Sequence, residues 1–444
     1  MKKIILTLIF LTFFTLVADA KKVKNNFENV ILESGVDMES IAVSIKNADN
    51  GKNVYSLNDK ILMNPASVQK VLTTPVIVET LGADYEYTTE LYSRGNNEFL
   101  IKLGADPYLS SKNLSTIVKA LPKDVSKIYI DDSVLDGKMW GEGWQWDDDM
   151  NVLMPRFSSY NLDKNLVKLT IMPTVKGQFA KILNPSGFPL VFFNNVVTSD
   201  KTKLDVHRDS AISPNTLVLT GNVARPNTIY VPTMDLKRYF IVQLTKQLES
   251  RSIYLADSIK ISKKTDTDQL VTSVKHSLNS AVSDMLKNSN NLVAETSFKL
   301  AGGKYNGNKT GTDTDAIKMF NDYCLKNKLD NSRIRITDGS GVSKNNLVSA
   351  DFVTEFLGVN KANPVMEKLA SPGEGTLTHR MLPIKENLKA KTGTLSDISS
   401  IAGYLTSKSG KKYVFCIITN DMKLSNSDKK MLEDFIIREA YLRL

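Results

Sequence analysis

The chain has 444 residues, of which 42% are hydrophobic, enough to bury more than one core, so two or three domains are expected. Its formal net charge is +9, yet no Arg/Lys run is dense enough to argue for a nucleic-acid partner. His207, His276 and His379 are scattered, with no H-E-x-x-H and no Cys/His pair at ligand spacing. That speaks against a metallohydrolase, and no G-x-S-x-G elbow or G-x-x-x-x-G-K-S/T phosphate loop occurs either.

The first segment, "MKKIILTLIFLTFFTLVADA", has basic Lys2 and Lys3, an apolar run from Ile4 to Val17 and a small-residue exit at Ala18-Asp19-Ala20. This predicts a cleaved secretory signal over residues 1–20 and an exported, periplasmic or extracellular protein. No later segment supplies the roughly 20 apolar residues of a spanning helix, so no transmembrane anchor is expected. In that compartment a basic chain points to anionic envelope polymers before nucleic acid. Next, "SIAVSIKNADNGKNVYSLN" alternates like two strands around Asp49-Asn50-Gly51, a hairpin signal.

The stretch "MNPASVQKVLTTP" (Met63 to Pro75) follows, with Pro65 suited to a first helical turn and Val68, Val71, Leu72, Ile77 and Val78 forming an apolar face. Pro75 is expected to kink or interrupt that helix. Ser67 would sit near the helix N-terminus, where the macrodipole favours negative charge on its oxygen, with Lys70 on the same face.

From about Tyr85 the texture becomes α/β: "YEYTTELYS", "EFLIKLG" and "SKIYIDDS" read as strands and "SSKNLSTIVKALP" as a helix. The loop "GWQWDDD" leads into a β-like region beginning "NLVKLTIMPT", and α/β texture resumes around Gly221 with the helix "MDLKRYFIVQLTKQLES". Trp140, Trp144 and Trp146 leave two readings, a fixed domain junction or stacking on sugar. Beyond Val271 helices dominate until "NLKAKTGTL", "SSIAGYLTS" and "KKYVFCIITN", which read as an antiparallel meander closed by the helix "SDKKMLEDFIIREAYLRL". Cys324 lies in a helical pattern and Cys416 in a strand pattern; two buried free thiols and a disulfide both fit an exported protein.

A nucleophilic serine needs a base, and lysine serves only when burial or a second cation depresses its pKa. Ser-x-x-Lys occurs three times, at Ser67/Lys70, Ser409/Lys412 and Ser427/Lys430, so spacing alone decides nothing. Lys-Thr-Gly occurs twice. Lys309-Thr310-Gly311 follows a glycine-rich stretch and precedes Thr312, a good N-cap, so it reads as loop and helix entry. Lys391-Thr392-Gly393 lies in an alternating strand, where Lys391 and Gly393 share one face, Thr392 and Thr394 the other, and a glycine admits another backbone. Ser-x-Asn occurs at Ser56, Ser111, Ser213, Ser277, Ser289 and Ser343; only Ser289-Asn290-Asn291 lies between two helical patterns, where Ser289 could equally be a plain N-cap. Asp338 to Gly341 reads as a structural turn.

Taken in order, Ser67-x-x-Lys70, Ser289-x-Asn291 and Lys391-Thr392-Gly393 resemble the three signatures of penicillin-binding proteins and serine β-lactamases. Together with "LGADPYLS", "GWQWDDD", "DGSGVSKNNLVSA", "GEGTL" and "KTGTLSDISSIAGY", the chain looks like the class C low-molecular-mass penicillin-binding proteins, the serine D-alanyl-D-alanine carboxypeptidases/endopeptidases, from about Leu32 onward. The resemblance implies an α/β (α+β) fold: a transpeptidase/β-lactamase-like domain with an antiparallel sheet flanked by helices, interrupted by two nested inserted domains. The corresponding boundaries are 21–84 and 267–444 for the catalytic domain, 85–159 and 216–266 for the inserted α/β domain, and 160–215 for a nested β-rich domain.

It also implies roles. Ser67 would be the acyl-accepting nucleophile, Lys70 its base, Ser289 a proton shuttle, Asn291 a holder of the substrate amide, and Lys391 a cation that keeps Lys70 neutral and draws in the substrate carboxylate. Thr392, Gly393 and Thr394 would bind substrate along the strand, with the N–H groups of Ser67 and Thr394 as oxyanion hole. The implied partners are peptidoglycan stem peptides, and β-lactams as covalent inhibitors, with no cofactor and no metal. A β-lactamase is the rival enzyme and a catalytically silent wall-binding protein the rival of another class; the balance of carboxypeptidase and endopeptidase action and a homodimer stay open.

Overall fold

The computed structural model describes residues 26–255 and 257–444; the expected signal lies outside them. Contacts divide the chain into two units, one holding residues 26–76, 282–289 and 320–444, the other 77–281 and 290–319.

The first unit is built on a five-stranded antiparallel sheet, in the order Leu388–Thr394, Ile398–Thr406, Lys412–Asn420, Ile41–Asn47, Asn53–Leu57. The Asp49–Gly51 hairpin and the three-strand meander are as expected, and Gly51 takes a positive φ of 69° in the turn. Alternation sorts each strand between two helical layers. Ile41, Val43 and Ile45 point to one core with Ile436 and Ile437 of the helix Asn426–Arg443 and with Phe27 and Ile31 of the helix over 26–33. Full burial contributes about 1.5–3 kcal/mol for each such side chain. Ser44 and Lys46 point the other way, toward the helix Ala350–Val359: Ser44 Oγ lies 2.8 Å from Thr354 Oγ1, and Lys46 pairs with Asp351 at 2.5 Å. Cys324 and Cys416 are buried free thiols, and burial raises the Cys324 thiol to about 12.

The second unit holds a mixed five-stranded sheet in the order Lys260–Ile261, Lys127–Asp131, Glu98–Lys102, Glu86–Ser93, Gln269–Ser277, packed with the helices Ser111–Lys119 and Leu236–Glu249 around one apolar core. Its β-rich segment forms two three-stranded sheets. In them Thr216–Val223 pairs in parallel with Val191–Thr198, and Asn227–Pro232 antiparallel with Leu166–Met172. Trp144 is buried against Phe157, ring centroids 5.8 Å apart, and Trp140 packs edge-on to it at 4.9 Å, whereas Trp146 is exposed. The first two thus fix a loop. Among the described residues no helix is long and apolar enough to cross a membrane, and no group of three or more His, Cys, Asp or Glu could hold a metal ion.

Candidate active site

Ser67 lies in a single 3₁₀ turn, Ala66–Val68, that runs directly into the helix Gln69–Leu81. The serine is therefore at the positive end of a helix, as its position after Pro65 predicted. The helix passes through Pro75 without interruption. Proline removes the N–H that would bond the Val71 carbonyl, and the burial of Val71, Leu72 and Val76 offsets that loss.

Lys70 is wholly buried, and its Nζ donates to Ser67 Oγ at 2.9 Å and to the Ser340 carbonyl at 2.7 Å. The carbonyl matters to the chemistry because it holds one N–H of the amine and thereby orients the nitrogen toward the serine. Ser340 belongs to the stretch read from sequence as a structural turn in preference to a site. It is a turn, but a buried one, packed on the serine helix. Asp338 accepts from Gly341 N (2.7 Å), Ser343 N (2.6 Å) and Asn346 Nδ2 (2.8 Å), while Thr73 Oγ1 donates to the Gly339 carbonyl at 2.9 Å. Gly341 has a φ of 85°, and a Cβ there would lie 1.9 Å from the Ala66 carbonyl oxygen, so only glycine fits.

The strand Leu388–Thr394 closes the other side. A Cβ at Gly393 would come 2.4 Å from Ser400 Oγ and 2.8 Å from both Ser67 N and the Pro65 carbonyl oxygen. The strand backbone thus lies directly on the serine turn, as the glycine in that Lys-Thr-Gly copy suggested, and Ser400 Oγ donates to the Pro65 carbonyl at 2.6 Å. Lys391, on the same face as Gly393, is wholly buried, with Nζ donating to the Thr392 carbonyl at 2.6 Å. Burial, and then repulsion by Lys70, push its amine well below the ordinary lysine range. The first and third motifs therefore form one buried cluster. Gly393→Ala is expected to destabilise the protein by about 1–3 kcal/mol through overpacking and to slow reaction at Ser67, read by thermal melting and by covalent labelling.

The second motif is arranged differently from a plain cap. Ser289 follows the helix Leu278–Lys287 with a positive φ of 64°, and Asn290, not Ser289, caps the next helix by accepting from Val293 N at 3.2 Å. Asn291 opens that helix, in the second unit, and its Nδ2 donates to the Leu153 carbonyl at 2.7 Å. Thr392 Oγ1 donates to Thr376 Oγ1 at 2.7 Å, and Thr394 ends its strand exposed.

The other Lys-Thr-Gly copy lies elsewhere, in the second unit. Lys309 is exposed, Thr310 Oγ1 donates to the Ser133 carbonyl at 2.8 Å, and Gly311 is packed on the Lys299 backbone, where a Cβ would approach the carbonyl oxygen to 2.3 Å. Thr312 accepts from Asp315 N at 3.1 Å, the cap expected for the helix Asp313–Lys326. Lys309→Ala is expected to leave labelling within about twofold of wild type, since surface substitutions usually change stability by less than ~0.5 kcal/mol.

Residues 23–439 match the D-Ala-D-Ala carboxypeptidase 3 (S13) family. The chain is similar to the D-alanyl-D-alanine carboxypeptidase DacB of Haemophilus influenzae, 24% identical over 87% of this chain and 86% of that one. It is equally similar to the D-alanyl-D-alanine carboxypeptidase of Actinomadura sp., 24% identical over 90% of this chain and 81% of the other. The fold superposes on the crystal structure of penicillin binding protein 4 (dacB) from Haemophilus influenzae with a TM-score of 0.81 at 23% identity, covering 94% of this chain and 99% of that one. The chain belongs to the D-Ala-D-Ala carboxypeptidase 3 (S13) family and is a serine peptidase of peptidoglycan.

Proposed function

We propose that Ser67 attacks the carbonyl of the D-Ala-D-Ala bond, or of a D-Ala-to-diamino-acid crosslink, while Lys70 takes the serine proton. The observation that carries this reading is the 2.9 Å bond between Lys70 Nζ and Ser67 Oγ in a pocket that buries the amine completely. A neutral Lys70 has a lone pair for that proton, and the Ser340 carbonyl holds the nitrogen in place as the proton arrives. Lys391 makes a second proton on the pair costly and presents charge to an incoming carboxylate. The N–H groups of Ser67 and Thr394 receive the developing oxyanion, Ser289 passes the proton to the leaving amine, and Asn291 holds the substrate amide. The amine leaves, the acyl group stays on Ser67 Oγ as an ester, and water then releases it. Thr392 and Thr394 receive the substrate carboxylate or its extended backbone, for which Gly393 keeps the strand low against the serine.

The curated relatives are named for carboxypeptidase activity, which supports that reaction; the same acyl transfer would open crosslinks. Incubation with uncrosslinked pentapeptide and crosslinked muropeptides separates the two, with loss of terminal D-Ala expected. Fast turnover of penicillin without peptide cleavage would support the β-lactamase reading instead. We also read the chain as exported, with residues 1–20 removed; the mass of the protein recovered from the envelope fraction tests this.

A further inference from the structure

The segment Gly373 to Leu377, "GEGTL", has no part in the chemistry above, yet it is fastened to both sides of the site. Glu374 pairs with Lys287 at 3.0 Å, in the last turn of the helix that ends just before Ser289, and also accepts from Ser371 N at 3.2 Å. Gly375, with a positive φ of 47°, lies against the same helix end: a Cβ there would meet the Lys287 carbonyl oxygen at 2.1 Å. Leu377 is buried in the sheet core, and its carbonyl accepts from Gly373 N at 3.0 Å. Between these fastened neighbours stands Thr376, exposed, its hydroxyl 2.7 Å from that of Thr392.

We infer that Thr376 is a positioning residue for the carboxylate of the substrate's leaving D-amino acid, acting through Thr392; this rests on the function proposed above. Each hydroxyl has one proton and two acceptor sites. Without substrate, Thr392 gives its proton to Thr376. A carboxylate offers only acceptors, so on its arrival Thr392 turns its proton to the carboxylate and Thr376 donates to the Thr392 oxygen in exchange. The pair then bonds to the anion with both hydroxyl protons in use, and the Lys287–Glu374 tie keeps Thr376 within reach. No bond to carbon changes; only two hydroxyl protons rotate.

The test compares wild type, Thr376→Val and Thr376→Ser on two acyl donors: an acyl-D-Ala-D-Ala peptide and an acyl-D-Ala aryl ester whose leaving group has no carboxylate. Valine keeps the shape and removes the hydroxyl. On the peptide, Thr376→Val should raise KM roughly 3- to 10-fold, the worth of one hydrogen bond, with kcat little changed, and Thr376→Ser should restore it. On the ester the three proteins should match. Equal losses on both donors, no loss on the peptide, or failure of serine to restore would each overturn the role of Thr376. Absence of wild-type acylation by either donor would instead overturn the reading of the site itself.

Discussion

Lys70→Met is expected to lower acylation of Ser67 by roughly 100- to 10 000-fold, the usual range for loss of a positioned general base. The side chains have similar length, so the buried volume is kept while the amine between Ser67 Oγ and the Ser340 carbonyl is lost. The fold should survive, because methionine adapts to irregular core space and removes an amine that burial penalises when charged. Stopped-flow labelling with a fluorescent penicillin, alongside thermal unfolding, would check both halves. Labelling at the wild-type rate would exclude Lys70 as base.

Lys391→Met should have the second large effect, in opposite directions on activity and stability. Acylation should fall by orders of magnitude, since the proposed reading gives Lys391 both the substrate carboxylate and the tuning of Lys70. Stability should rise by ~0.5–2 kcal/mol, the gain commonly seen when a residue is freed from a functional constraint. The sign follows from proton counting. In the unfolded chain lysine holds its proton up to about pH 10.4. In the folded chain burial and then Lys70 lower the pH at which Lys391 releases it. Between the two values the unfolded state binds more protons, so wild-type stability carries a term that rises with pH, which the variant lacks. The stability difference between variant and wild type should thus shrink as the pH approaches 10.4. Repulsion is mutual, so the variant's acylation should also reach its alkaline plateau at higher pH than wild type. Denaturant melts and acylation rates across pH measure both; an unshifted rate profile would leave Lys391 a role with the carboxylate only.

Much of this was readable in the chain. The Asp49–Gly51 hairpin and the C-terminal meander declare themselves because a strand alternates every second residue and a turn needs glycine, asparagine or aspartate. The choice between the two Lys-Thr-Gly copies was readable because Lys391 stands in an alternating strand and Lys309 beside a capping threonine. Three features were not. The Ser340 carbonyl reaches Lys70 across 270 residues of sequence, and a backbone acceptor leaves no trace in residue identity. The parallel pairing of Thr216–Val223 with Val191–Thr198 joins strands that are not neighbours in sequence order, which alternation within a strand does not encode. Pro75 looked like a helix breaker because it lacks an N–H, yet the helix continues through it, held by the burial of Val71, Leu72 and Val76, which a local rule does not see.

The claim on which the rest depends is that Ser67, among three serines at the same spacing from a lysine, forms the acyl-enzyme. Mass spectrometry of the intact mature protein after exposure to penicillin, followed by peptide mapping, addresses it directly. The expected result is one adduct per chain, on the peptide containing Ser67, absent in Ser67→Ala. An adduct on Ser409, Ser427 or any other residue, or an undiminished adduct in Ser67→Ala, would contradict it.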